Sequence, residues 1–498
     1  MPEDRNSYKS ITKAITLFGG VKVVQIVINV VKNKFIAVLL GPAGMGIAGM
    51  ITSTTSMIEA LTGCGLQTSG VRDVSQAYSS GDTDRANKTV SVLRQLVLFT
   101  GLLGTVLCFL MSPLLSRWAF GNTDYNVAFK IVSVILFMDQ LCIGQTVVLQ
   151  GTFHYKYMAR ASLIGSIIGL VTTVPLYYLW GMKAIVPVII LTSFFNLLLT
   201  WIYSRKVPFQ QVPLSIKDIL KEGKIMITLG VVIALTGVIN TGQTYILRLF
   251  ISHFGNIADV GLYTAGISLA TSYVGVVLSA MASDYSPRLA AVADDDSKLT
   301  QVINRQSILL ITILSPLILL FIVFIRELTI LLYSNKFIAI TGMLEWIMYG
   351  MFFRAISWSI SYCFIGRGES KIFFWNELGA AVYSLLFSIV GYKIGKFTGM
   401  GIAFCLTYFV YSIQVFLLAH QRFNFSFEPI LVKKVVLQLS LCTIFFVVVK
   451  LLGYNIARYI IGSIGIVLAV LLSYRYLDQM IGIKQVLSKK IKDKECLQ

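Results

Sequence analysis

Lys34-Phe35-Ile36-Ala37-Val38-Leu39-Leu40-Gly41, running into Pro42-Ala43-Gly44-Met45-Gly46, closes the first long apolar stretch of the chain. A relative of it returns further on, where Arg248-Leu249-Phe250-Ile251-Ser252-His253-Phe254-Gly255 leads into Asn256 to Gly261. Both copies put a cation seven residues before a glycine, and 248 − 34 = 214. Other pairs keep nearly that spacing: Arg72 with Arg288, Gly151 with Gly366, Lys156 with Lys371. A membrane chain that repeats itself at half length is usually a transporter whose two bundles surround a central path.

Composition fixes the solvent of the fold. The 498 residues are 56% apolar with mean hydropathy +0.78 and only 13% charged. That excludes an ordinary soluble enzyme and predicts an all-α polytopic membrane protein. The polar opening Met1 to Ser10 lacks a small-residue cleavage site, so the first apolar segment is expected to stay as a helix. Apolar stretches of about 20 residues predict helices near 11–31, 42–65, 91–111, 127–150, 158–180 and 184–204. A second set falls near 225–250, 258–282, 306–325, 338–365, 372–392 and 398–420, and a last pair near 431–450 and 456–476, about 14 in all.

The domain reading follows from this count. Residues 1–204 form a six-helix lobe, 205–224 a cytoplasmic linker, 225–420 a second six-helix lobe, and 421–498 two extra helices with a basic tail. Six is even, so both lobes enter the membrane from one side and form a parallel repeat. The extra pair lies outside the repeat and can make a side contact, a lipid-facing groove or an oligomer surface. The formal net charge of +19 is concentrated in alternate loops. The positive-inside rule then puts both termini in the cytoplasm, and the tail Lys484 to Lys494 would lie on anionic headgroups. That distribution leaves little charge for nucleic acid, which is not expected as a partner.

Several short segments resemble a known family. Leu40 to Gly46 is similar to the opening signature of polysaccharide flippases in the multidrug/oligosaccharidyl-lipid/polysaccharide exporter superfamily. Phe120-Gly121-Asn122-Thr123-Asp124-Tyr125, Ser334-Asn335-Lys336-Phe337 and the run from Trp346 through Gly350, Tyr362 and Glu377 resemble the Wzx-type O-antigen and enterobacterial common antigen translocases. The similarity covers roughly residues 8–420. It implies a V-shaped pair of six-helix lobes in the bacterial inner membrane. The implied activity passes an undecaprenyl-pyrophosphate-linked oligosaccharide from the cytoplasmic to the periplasmic leaflet by alternating access, as in lipopolysaccharide biosynthesis and polysaccharide export. Membrane lipids, a polysaccharide polymerase and chain-length proteins are the partners it implies. The physics agrees, because a pyrophosphate and its sugars cannot cross hydrocarbon unpaired without a cost of several kcal/mol per group.

The candidate substrate-binding residues are Lys22, Gln25, Asn29, Lys34, Arg248 and Arg354. Lys22 sits midway through the first helix, where a lysine is expensive unless it meets water, a partner or a ligand. Gln25 and Asn29 continue a polar stripe on that helix, and Wzx-type proteins have a lysine at the matching place. Lys22 can instead snorkel or pair between helices. Arg248 carries a planar fork suited to phosphate oxygens, and Lys34 is its counterpart; both can also be interfacial anchors. For coupling or gating the candidates are Glu59, Asp139 and Glu377. Glu59, after Thr52, Ser53, Thr55 and Ser56, either takes part in proton or sodium coupling or pairs with Lys22. Glu377 either gates or simply suits a helix start near Lys371 and Arg367. Asp139 and Arg354 are repeat-equivalent (354 − 215 = 139), and Wzx-type relatives carry a lysine matching Arg354. They either attract each other across the central path or are satisfied within their own lobes, Arg354 by Glu345 or a backbone carbonyl.

Much chemistry is excluded. His154 and His253 lack a second ligand at metal spacing, so no metal is expected. The seven cysteines (Cys64, Cys108, Cys142, Cys363, Cys405, Cys442, Cys496) are scattered and read as small packing residues. No Gly-x-x-x-x-Gly-Lys-Ser/Thr loop is present, so ATP hydrolysis by that route and any bound cofactor are not expected. Neither a nucleophile, His and carboxylate set nor a large external loop supports an enzyme such as a polymerase or glycosyltransferase. Tyr125, Tyr245, Tyr349 and Trp358 fit either sugar stacking or the interfacial aromatic belt. The competing reading is a cation-coupled drug antiporter of the same superfamily. Against it, deep cations outnumber the deep acids Glu59 and Asp139.

Overall fold

The computed structural model describes the backbone of residues 3–210, 212–213 and 216–481. Side chains are described over 20–478, excepting 22–23, 211, 214–222, 225, 229, 232–233 and 283. The side chain of Lys22 and the tail Lys484 to Lys494 therefore lie outside the described residues. Thirteen α-helices run α1 (Glu3–Thr62), α2 (Leu66–Ser79), α3 (Thr83–Phe120), α4 (Asn126–Gly151), α5 (Tyr155–Trp180), α6 (Ile185–Ser204) and α7 (Ile216–Phe254). Then come α8 (Ile257–Ala291), α9 (Asp296–Leu332), α10 (Thr341–Gly366), α11 (Ser370–Phe423), α12 (Pro429–Leu452) and α13 (Ile456–Ile481).

The helix lengths resolve into 14 crossings. Among the described residues ten segments are long and apolar enough to span a membrane. Two of these, Tyr155–Ser204 and Ser370–Phe423, are double length at 50 and 54 residues, the 60-residue α1 breaks into two at Gly41, and the 39-residue α7 makes the remaining crossing. The 60 residues of α1 would reach about 90 Å as one rod, three times the hydrocarbon core of about 30 Å. They break at Gly41, whose φ of 65° and ψ of −169° suit a residue without Cβ. Pro42 then opens the next helix, where it has no donor to lose. The helix expected near 42–65 therefore begins at Pro42, directly after the break at Gly41.

The repeat is written into the backbone. Between α4 and α10 both ends shift equally, 341 − 126 = 215 and 366 − 151 = 215. Each is closed by the same bonds one repeat apart: His154 N–H to Leu149 O at 2.9 Å, and Glu369 N–H to Phe364 O at 2.9 Å. The residues inside those turns, Phe153 (φ 60°) and Gly368 (φ 72°), are both left-handed. The hairpins after α5 and within α11 agree as well. Gly181 has φ 54° and ψ −132°, and its counterpart Lys396 has φ 48° and ψ −128°. A Cβ on Gly181 would meet nothing within 4 Å, so its glycine is required only by the backbone. Gly181→Ala is expected to destabilise by about 1–3 kcal/mol through that strain alone, whereas Lys396→Gly is tolerated. Thermal unfolding in detergent checks this; an unchanged midpoint for Gly181→Ala would refute it.

Two compact units divide the chain, residues 1–265 with 332–336, and residues 266–331 with 337–498. The sequence repeat divides instead at 205–224, because α7 packs on α1, α2 and α3 of the first unit. Within that unit the second crossing of α1 meets the start of α8 with no side chain between them. A Cβ on Gly46 would lie 1.8 Å from the Ile257 carbonyl oxygen, and one on Gly261 would lie 1.8 Å from that of Pro42. The two contacts are one repeat apart, since 257 − 42 and 261 − 46 are both 215.

In the second unit α12 and α13 are bound to the lobe by a buried ion pair. Helix α9 breaks at Phe324 (φ −102°, ψ 20°). Arg458 of α13 donates to the carbonyls just before the break, Ile322 O at 2.7 Å and Val323 O at 3.1 Å. It also pairs with Glu345 of α10 at 2.9 Å, and the two side chains are 1% and 9% exposed. Gly462 lets α13 close on α9, since a Cβ there would sit 2.5 Å from Val323. Of the three roles open to the extra helices, the described contacts show a side contact with the lobe.

Candidate substrate and coupling sites

The hydroxyls before Glu59 serve the helix itself. Thr52, Ser53, Thr54 and Thr55 of α1 all return their protons to carbonyls three or four residues back. Glu59, one turn on, is half-buried, and the Asp139 carboxyl of α4 lies within electrostatic range of it. Asp139 accepts a hydrogen bond from Ser193 of α6, and next to it Gln140 donates to Thr100 of α3 at 3.0 Å. The structure thus brings together two predicted coupling residues, Glu59 and Asp139, in the first unit. Ser193, which completes the group, has no distinguishing pattern in sequence.

The substrate-binding candidates do not gather at one point. Gln25 donates to Ser162 and, at 3.4 Å, to Ser166, so it fastens α1 to α5. Asn29 is exposed and Lys34 half-buried. Arg248 stands against the second crossing of α1, where Nη1 donates to Gly49 O at 3.0 Å. Its Nε has no hydrogen-bond partner, and neither has the buried Thr264 Oγ1; the buried Tyr245 hydroxyl neighbours that of Thr54. Thr264 adjoins Gly49, 3.0 Å from where a Cβ there would sit. A half-buried guanidinium with an open donor and a buried hydroxyl with an open valence suit an oxygen-rich anion or its water shell. Tyr245 was expected only as a belt or stacking residue, and Thr264 carries no sequence signal.

Arg354 and Glu377 occupy the second unit. The Arg354 guanidinium lies 5.3 Å from the Tyr408 ring centre, a cation–π contact worth about 0.5–2 kcal/mol. Glu345, its expected alternative partner, is occupied by Arg458, which corrects that reading. Asp139 and Arg354 fall in different units, each with contacts inside its own. Glu377 accepts from the Tyr411 hydroxyl. Tyr411 in turn accepts from Asn376 Nδ2 at 3.0 Å, and Gln414 Nε2 donates to Asn376 Oδ1 at 2.8 Å. Glu377 is therefore part of a polar chain joining both halves of α11. Arg367, expected beside it, bonds instead to Asp296 and to Ala293 O.

Outside the membrane the charges act locally. Arg288 pairs with Asp284, and Lys298 with Asp295 at 3.0 Å. The backbone N–H of Lys298, and then its ammonium, hold the Asp295 carboxyl below the usual carboxylate range. Burial on α2 pushes Asp73 up, with Arg72 opposing. Among the described residues no group of three His, Cys, Asp or Glu is placed to hold a metal.

A family model described as polysaccharide biosynthesis protein matches residues 35–341, more than half of the chain. The chain belongs to the polysaccharide biosynthesis protein family. The matched residues take in Lys34's neighbours, Glu59, Asp139 and Arg248, but stop before Arg354 and Glu377. Among curated proteins the family member is 22% identical over 430 residues to the Lipid III flippase of Escherichia coli (strain K12), covering 83% of this chain and 100% of the relative. The Lipid III flippase of Shigella flexneri matches to the same extent. Among solved structures, Lipid II flippase MurJ in an inward closed conformation aligns with a TM-score of 0.69 at 13% identity, covering 94% of this chain and 99% of that one. An inward-facing multidrug resistance MATE family transporter of the MOP superfamily aligns with a TM-score of 0.68 at 16% identity, covering 82% and 98%. These likenesses show that this family member shares the fold of those two transporters.

Proposed function

We propose that the protein is a flippase that carries an undecaprenyl-pyrophosphate-linked oligosaccharide from the cytoplasmic to the periplasmic leaflet by alternating access. The observation that carries this reading is Arg248, a half-buried guanidinium whose buried Nε has no hydrogen-bond partner, in the same unit as the buried, unpartnered Thr264 hydroxyl. A pyrophosphate and sugar hydroxyls supply the acceptors and donors that such a group lacks. Membership of a polysaccharide family and the 22% identity to a Lipid III flippase support the same cargo class. Lys22 and Lys34 would serve the same headgroup along its path. Both termini would then face the cytoplasm of a bacterial inner-membrane protein, with polymerase and chain-length proteins as downstream partners.

Each charge-assisted contact contributes about 1.5–3 kcal/mol. Arg248→Ala is therefore expected to lower flipping about tenfold or more, with expression and membrane insertion unchanged. A leaflet-resolved assay of lipid-linked oligosaccharide in a deletion strain reads this directly. Full complementation by the variant at native expression would overturn the reading.

A specific observation favours a second reading, the cation-coupled drug antiporter. Glu59 and Asp139 are two half-buried membrane carboxyls within electrostatic range of each other in the first unit, and such carboxylates can exchange a proton or sodium. In a flippase the pair would couple the cycle to an ion gradient. In an antiporter, expression would raise drug tolerance in a manner lost with Asp139→Asn, while oligosaccharide flipping would be absent.

A further inference from the structure

The two halves of α11 enclose a groove at the end where the helix begins and finishes. Its volume is about 860 Å³, and it is lined by Lys371, Trp375, Asn376, Ile413, Gln414 and Leu417, among others. Its walls are mainly apolar, and Trp375 is 68% exposed at its edge. Lys371 is exposed and makes no ion pair among the described residues. It belongs to the first turn of α11, so its ammonium stands at the positive end of the helix dipole. The acidic neighbour Glu369 does not line the groove. Asn376 and Gln414 give the wall a hydrogen-bonding patch that continues inward through Tyr411 to Glu377.

We infer that this groove is a binding site for an anionic glycerophospholipid of the surrounding leaflet. The match is one of charge and phase. An unpaired cation lies where a phosphate would stand, an exposed tryptophan lies at the interface, and an apolar trough receives an acyl chain. Basic pockets between transmembrane helices on the cytoplasmic side take anionic headgroups in this way. Arg367, Lys371 and Arg422 cluster at this end of the lobe, which the positive-inside rule assigns to the cytoplasm. The lipid is a structural ligand, so the inference does not depend on what the protein transports.

The test uses the full chain, purified in detergent, with native mass spectrometry of retained phosphatidylglycerol against zwitterionic phosphatidylethanolamine. Lys371→Glu and the groove-filling Ile413→Trp are each expected to reduce phosphatidylglycerol retention about tenfold, the scale of one lost charge-assisted contact. Phosphatidylethanolamine retention stays constant. Lys183→Glu, an equal charge reversal on an exposed residue elsewhere, leaves both lipids unchanged. Unaltered phosphatidylglycerol retention in both groove variants overturns the assignment. So does a loss confined to added undecaprenyl phosphate, which would give the groove to the cargo's own lipid.

Discussion

Arg458→Ala is expected to destabilise the protein by about 3–5 kcal/mol, the cost of leaving one member of a buried ion pair without its partner. Glu345 would be left without its cation in a site where its side chain is 9% exposed. The carbonyls of Ile322 and Val323, at the break in α9, would also lose their donor. A buried acceptor left unmade adds about 1–3 kcal/mol. The pair is weak as a source of stability but costly to halve. Arg458→Met with Glu345→Met should therefore recover most of the loss, because replacing a whole buried pair by apolar groups is often neutral or better. Thermal unfolding of both variants in detergent separates the cases. If the double variant is no more stable than Arg458→Ala, the loss comes from α13 packing and not from the stranded charge.

Gly46→Ala and Gly261→Ala should each be comparably severe. Either methyl would lie 1.8 Å from a carbonyl oxygen of the facing helix, and backbone cannot swing aside as a side chain end can. Overpacking commonly costs about 1–3 kcal/mol and occasionally more; the helices here must separate, which places these variants at or above that range. Both methyls fill one contact, so a single separation relieves both. The double variant should lose far less than the sum of the singles, the behaviour of coupled neighbours. Gly237→Ala is the control, since a Cβ there meets nothing within 4 Å and a helical alanine gains up to about 1 kcal/mol. If Gly46→Ala proves as mild as Gly237→Ala, the two helices do not pack through bare backbone.

These two predictions mark where sequence reading ends. Hydrophobic run length and loop charge are local quantities, and they determined by themselves that the chain is an all-α membrane protein of 14 crossings with a half-length repeat. The repeat was legible because α4 and α10 keep one spacing at both ends. The cation before each glycine turn was legible for the same reason. What escaped the sequence was partnership. That Gly46 and Gly261 admit a facing helix was not legible, since a glycine that allows a close approach looks in sequence like one that bends a chain. Glu345 was matched to the nearby Arg354, but its partner Arg458 is 113 residues distant and belongs to helices outside the repeat. Ser193, Tyr411 and Thr264 carry no signal, because a hydroxyl acquires its role only from what folds against it. In hydrocarbon, where no water completes a polar group's bonds, only the tertiary structure decided which buried groups are satisfied and which, like the Arg248 Nε, stay open.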